Sequence, residues 1–293
     1  MGGLSDAFEN LPRGDHGVEQ PRRISMFETG NSSVTASRKD ARFSFCTYVP
    51  KSYVHEEGRK YPLAVIVHGS ERSMERYRDA FADYAEAEQV MLLCPLFPVN
   101  ALHQGDLHSY KLLRGHGVNF DEILLDMIDE FGERYNVDAE RFLLYGFSGG
   151  GQFAHRFLLA HPDRLVGVSI GAPGTVTLLD DASDYWVGTN GFERLFGRPI
   201  DIAAIRKVAV QMVIGEEDLL TRWVIVQPTD KAFWMKGAND AGATRVERQQ
   251  ALRRSLEAHG VKVEYETFPG VAHEDSTMLG RVKAFFSRCL NQR

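Results

Sequence analysis

With 293 residues, 43% of them hydrophobic and 25% charged, the chain is sized and composed for one large domain with a substantial core, not for a disordered or fibrous protein. Its 34 Lys and Arg against 40 Asp and Glu leave a formal net charge of −6; with no long basic run, this argues against nucleic acid or an anionic membrane as a partner. No stretch reaches a membrane-spanning length, and the polar segment Met1 to Gln20 lacks the basic start and apolar run of a secretory signal.

Residues 1–20 read as a flexible N-terminal arm. Two strand candidates follow, Arg22–Thr29 and Ala41–Val49, joined by a Gly-Asn-Ser-Ser turn and expected to pair antiparallel at one sheet edge. Pro62–His68 is a continuous apolar run, as a central parallel strand requires. Helix Met74–Glu88 carries Tyr77, Phe81, Tyr84 and Ala85 at helical spacing, and Val90–Leu96 is another buried strand. A loop rich in Gly and His covers Val99–Val118. Phe120–Tyr135 is an amphipathic helix with Ile123, Leu124, Met127, Ile128 and Phe131 on its apolar face. A strand over Arg141–Tyr145 and a helix over Gly151–Leu159 come next, then strand Leu165–Ile170 and an irregular stretch, Ala172–Ala204. Strand Val208–Ile214, a long connection, helix Thr244–His259, strand Val261–Thr267 and helix Thr277–Leu290 complete the chain. The alternation predicts a mostly parallel sheet with helices on both faces. Cys46 and Cys94 fall in predicted strands and Cys289 in the last helix; this odd, widely spaced set predicts free thiols, a reducing compartment and a cytoplasmic location.

Between the strand ending at Tyr145 and the helix from Gly151 lies Gly146-Phe147-Ser148-Gly149-Gly150. A G-x-S-x-G run in a strand–turn–helix setting lifts its serine onto a sharp, strained turn. A side chain at Gly146 or Gly150 would clash where strand and helix nearly touch. Ser148 is thereby the candidate nucleophile, and the Gly149 N–H points to where an oxyanion would form. A serine hydroxyl needs an adjacent base, and the base an orienting carboxylate. Two later loops, each directly after a predicted strand, carry such groups: Gly215-Glu216-Glu217-Asp218 and Pro269-Gly270-Val271-Ala272-His273. His273 is the candidate base. Glu216, Glu217 and Asp218 compete as the acid, with Asp218 far enough past the strand to turn back toward the site. Glu274 and Asp275 read as exposed or helix-capping.

At these residues the chain resembles the α/β-hydrolase serine esterases, and within them the polyhydroxyalkanoate depolymerase-like and feruloyl-esterase-like branch. The motifs that carry the resemblance are His68-Gly69-Ser70, Gly146 to Gly151 and Pro269 to His273. It implies the α/β-hydrolase fold over residues 21–293 as a single catalytic domain; the place of 172–204 between two sheet strands suits a small lid-like insertion. It favours Asp218 as the acid. It implies the Ser70 N–H as second oxyanion donor, with Glu71 as runner-up and His68 as a structural residue below the site. The implied reaction is cofactor-free hydrolysis of a carboxylic ester of a small soluble molecule. A lactone, thioester or amide substrate, acyl transfer, or a binding protein with little turnover are the alternatives.

Tyr185, Trp186, Phe192, Leu195 and Phe196 in Ala172–Ala204 suit either a lid over a pocket or an excursion packed on the core. Trp223, Phe233 and Trp234 in Thr221–Gly242 suit a pocket wall or a homodimer contact. Tyr185, Trp186 and Trp223 are the expected substrate-binding residues. His103, His108 and His116 match no standard zinc spacing, so no metal is expected. Arg245, Arg248, Arg253 and Arg254, mixed with Glu247 and Glu257 on one helix, read as a solvated face.

Overall fold

The computed structural model describes residues 28–231 and 233–292. The arm expected over residues 1–20, and all but the end of the strand expected over Arg22–Thr29, lie outside the described residues. In chain order the elements are β1 (Gly30–Asn31), β2 (Thr35–Ala36), β3 (Ser44–Val49), β4 (Leu63–Val67), α1 (Met74–Glu88), β5 (Met91–Leu96), β6 (Arg114–Gly115), β7 (Val118–Asn119) and α2 (Phe120–Arg134). There follow β8 (Phe142–Phe147), α3 (Gly149–Ala160), β9 (Leu165–Gly171), α4 (Phe192–Phe196), α5 (Ile202–Ile205), β10 (Ala209–Gly215), α6 (Arg245–Ala258), β11 (Val263–Phe268) and α7 (Leu279–Asn291).

Among the described residues the main sheet has nine strands, in the order β1-β3-β5-β4-β8-β9-β10-β11, with β2 also on β3. The strands from β5 through β4 to β11 are parallel to one another, and β3 runs antiparallel to β1, β2 and β5. The central strands are buried on both faces, which is why β4 and β8 read as unbroken apolar runs. Side-chain alternation divides the core. Val65 and Val67 pack with Leu124 and Met127 of α2, Phe153 and Phe157 of α3, and Leu252 of α6. Ala64 and Ile66 pack with Tyr77 and Phe81 of α1 and Val282 and Phe286 of α7. Helices therefore cover both faces, as the alternation predicted. No helix of the described residues is long and apolar enough to cross a membrane.

Within the Gly- and His-rich loop the structure adds a 3-10 turn at Ser109–Leu112 and the β6–β7 hairpin, neither of which a hydrophobic period announces. Cys46 lies opposite Cys94 across the β3–β5 ladder, and all three cysteines are free and buried. β11 closes the other sheet edge; its Glu264 pairs with Arg288, and Glu266 with Arg281 at 3.4 Å.

Candidate active site

Parallel strands bring their carboxyl ends to one edge of the sheet, and the segments after β4, β8, β10 and β11 meet there. Ser148 joins β8 to α3 at φ 57° and ψ −112°, in the left-handed half of backbone space that a non-glycine residue occupies at a cost. Its N–H is held by the Gly171 carbonyl at 2.9 Å. A Cβ on Gly146 would collide with the Gly150 carbonyl, and one on Gly150 with the Val67 carbonyl. Both glycines are thus required by the close passage of α3 over β8 and β4.

The loops after β10 and β11 are bound to each other by backbone bonds, Glu216 N–H to Phe268 carbonyl at 3.0 Å and Glu217 N–H to Val271 carbonyl at 2.9 Å. This clamp brings Asp218 Oδ2 to 2.6 Å from His273 Nδ1, and His273 Nε2 lies 3.0 Å from Ser148 Oγ. Asp218 is 1% exposed, an acceptor that fixes Nδ1 as the protonated nitrogen and leaves Nε2 free to accept from the serine. The His273 ring also stacks on Phe147, centroids 4.8 Å apart. Of the competing acids, Glu217 is exposed and Glu216 accepts from Thr267 Oγ1 at 2.7 Å. Glu274 accepts from the Ser276 and Thr277 hydroxyls. Asp275, expected to be exposed or capping, is buried and ion-paired to Arg76 of α1, anchoring the histidine loop.

Arg245 corrects the reading of α6 as a solvated face. Its Nη1 donates to Asp218 Oδ1 at 3.0 Å, and Arg248, equally buried, bonds the Gly242 and Gly174 carbonyls and Asn239 Oδ1. Only Arg253 and Arg254 of that set keep access to solvent. The capping box of Thr244 and Glu247 starts α6 at Arg245 and aims its first turn at the acid loop.

After β4, Ser70 N and Oγ each lie 3.1 Å from the point a Gly149 Cβ would occupy, so the Ser70 and Gly149 backbones touch. Neither N–H meets an acceptor among the described residues, and Gly149 opens α3, where helical N–H groups are unpaired. His68 sits beneath them, wholly buried. Its Nδ1 donates to the Gly69 carbonyl at 2.8 Å and its Nε2 accepts from Phe97 N–H at 3.0 Å. Burial pushes its pKa down to about 3, so this tautomer persists at neutral pH.

Ser148, His273, Ser70, Gln152, Thr175 and Arg245 open onto one cavity of about 600 Å³. Trp223 to Gln227, Asp230 and Phe233 line it too, so the segment after the acid loop forms part of its wall, with Trp223 74% exposed. Tyr185 and Trp186 do not line it. Trp186 is buried behind Phe233, stacked at 4.9 Å with its indole N–H on the Phe233 carbonyl, and Phe233 in turn stacks on His108 at 4.3 Å. Tyr185 packs on Phe192 and Phe196 and donates to the Leu112 carbonyl. Their expected contact with substrate is therefore corrected: rings that looked available in an irregular segment are taken up by the core. Gln152 and Lys111 are cavity residues that the sequence did not single out, and Arg245 is one it placed on a solvated face. The one local signal is the place of Gln152, a helical turn after Ser148. His103 and His116 lie ring to ring at 4.0 Å, and among the described residues no three potential ligands converge as for a metal ion.

The strand order, the serine at the tip of β8, and the acid and histidine after β10 and β11 define the α/β-hydrolase fold. Solved structures share it over most of their length: a poly(3-hydroxybutyrate) depolymerase from Bordetella parapertussis (TM-score 0.68, 19% identity, 87% of this chain and 89% of that one) and poly(aspartic acid) hydrolase-1 from Sphingomonas sp. KT-1 (0.66, 20%, 84% and 93%). A ferulic acid esterase matches at 0.58 and 14% identity over 89% of this chain and 99% of its own. At these identities the likeness is one of fold. No protein-family model and no curated protein sequence matches the chain.

Proposed function

We propose that the protein is a serine hydrolase that cleaves a carboxylic ester of a small molecule through an acyl-serine intermediate. The observation that carries this reading is the continuous hydrogen-bonded line from Asp218 through His273 to Ser148. His273 Nε2 takes the Ser148 proton as Oγ attacks the acyl carbon. Asp218 steadies the imidazolium, and the imidazolium then hands its proton to the leaving alcohol. The unpaired N–H groups of Ser70 and Gly149 face the developing oxyanion, where fixed donors act most strongly. Water, deprotonated by the same histidine, releases the acid. The cavity volume suits a ligand of small-molecule size.

Ser148→Ala tests the reading. Turnover of a short-chain chromogenic ester is expected to fall by about 10⁴-fold or more with the fold retained by circular dichroism. A fluorophosphonate probe is expected to label wild type at Ser148 alone. Unchanged turnover in Ser148→Ala, or folded wild type that takes no label, would overturn it. The probe also separates an enzyme from a binding protein of the same fold.

A further inference from the structure

The cavity wall holds a lysine that the acyl-transfer steps leave unused. Lys111 lines the cavity yet is only 5% exposed. Its ammonium has one hydrogen-bond partner, His108 Nδ1 at 3.3 Å, lies 5.9 Å from the Tyr110 ring centroid, and meets no carboxylate among the described residues. His108 brings no counter-charge: an imidazole is neutral or cationic, and burial first and Lys111 second push its pKa down to about 4, which keeps it neutral. The charged groups facing Lys111 from neighbouring elements are Arg72, Arg245 and Arg156, against Asp106 as the acid nearby. Arg245 is matched by Asp218. Arg156, wholly buried, bonds the Lys111 and Gln152 carbonyls and the Thr175 and Thr177 hydroxyls and has no acidic partner among the described residues. Burial and these cations bring the Lys111 pKa down to about 7. The acids on the cavity wall are farther out: Glu71 is exposed and Asp230 half-buried, and neither pairs with Lys111. Gln152 accepts from Thr175 Oγ1 at 2.6 Å, which leaves its Nε2 donors without an acceptor among the described residues.

A buried ammonium among like charges is unfavourable and sheds its proton readily; an anion brought beside it would hold the proton on and be held in turn. We propose that the substrate carries a carboxylate within a cavity's length of the scissile bond, and that Lys111, with the Gln152 amide as a second donor, binds it. The proposal rests on Ser148 acting in the same cavity and names the class of molecule it acts on.

Binding is measured first, in the Ser148→Ala protein, where turnover plays no part. Calorimetric titration with glutarate is expected to show binding, with glutaramide about tenfold weaker or worse, and Lys111→Met is expected to erase the difference. Turnover is measured in wild type, which needs no Lys111 variant to fold. Two ester pairs are compared by kcat/KM: 4-nitrophenyl hydrogen glutarate with 4-nitrophenyl valerate, and 3-acetoxypropanoate with propyl acetate. A preference of about tenfold or more for the anionic member of either pair supports the proposal and tells which half of the ester carries the charge. Equal turnover within both pairs, with glutarate and glutaramide bound alike, overturns it while leaving hydrolysis by Ser148 standing. Selective glutarate binding that survives Lys111→Met in folded protein overturns it as well. Selective glutarate binding lost in Lys111→Met, in a protein that cleaves no ester and takes no fluorophosphonate, upholds the anion site and sinks the hydrolase reading instead.

Discussion

Asp218 holds two partners at once, His273 on Oδ2 and Arg245 on Oδ1. The second bond stops the carboxylate from rotating away from the imidazole, so in the proposed reaction Arg245 is a positioning residue, acting through Asp218 and His273. Replacing it by Met leaves a buried carboxylate oxygen unpaired, a loss of about 2–3 kcal/mol for a charge-assisted bond. Arg245→Met is therefore expected to unfold at lower urea and to turn over an ester about a hundredfold more slowly. The change should fall on kcat more than on KM, and Arg245→Lys should restore part of it. A kcat equal to wild type in Arg245→Met would remove Arg245 from the positioning role. Little of this was legible in the sequence. Ser148 was, because the constraint on it is local: Gly146 and Gly150 flank it at fixed spacing and the collisions they avoid lie within the same turn. Arg245 reads as one more charge in an Arg- and Glu-rich helix because its partner sits on a loop 27 residues away, a separation that no helical period records.

The elements show where side chains are forbidden as clearly as where they are needed. α3 passes so close to β4 that Gly150 has no room for a methyl group, whereas Gly280, in the first turn of α7, has nothing within 4 Å of its would-be Cβ. The two positions make opposite predictions for one chemical change. Gly150→Ala must push the helix off the strand and is expected to lose about 1–3 kcal/mol and the serine geometry with it. Gly280→Ala gains helix propensity at no steric cost and is expected to raise stability by up to about 1 kcal/mol. Paired thermal melts of the two variants check both; a Gly150→Ala protein as stable and active as wild type would contradict the close passage. Strand and helix positions emerged from the sequence because apolar runs and periods are properties of contiguous residues. Tyr185 and Trp186 did not, since whether an aromatic ring faces a cavity or the core depends on what the rest of the chain leaves open, and here Phe192, Phe196 and Phe233 fill that space.

Across the whole molecule, burial sets how the fold responds to acid. His68 and His155 are both buried and both use Nε2 as an acceptor from a backbone N–H, Phe97 for one and Thr177 for the other, while Nδ1 donates to a carbonyl. Desolvation drives the first down to about 3 and the second well below the ordinary 6.5. Below pH about 6.5 the unfolded chain takes up protons that the fold refuses, so stability is complete above that pH and falls as pH drops toward 3. Each histidine contributes up to about 1.4 kcal/mol per pH unit over that window. Urea unfolding at pH 7, 6, 5 and 4 should show this decline, and His155→Gln, though weaker at neutral pH, should show a slope shallower by about one proton. A variant slope equal to that of wild type would mean that His155 is protonated in the fold.

The strand at the far side of the sheet carries a consequence for neighbours of the molecule. Among the described residues, β11 has no strand beside it on its outer side, which in a flat apolar ribbon would invite another chain to add on. Glu264 and Glu266, tied to Arg288 and Arg281, alternate along it instead. An incoming strand would have to accommodate this row of carboxylates or part them from their arginines. That border is thereby guarded against edge-to-edge addition into fibres, and crowding of many copies should leave the sheet as it is.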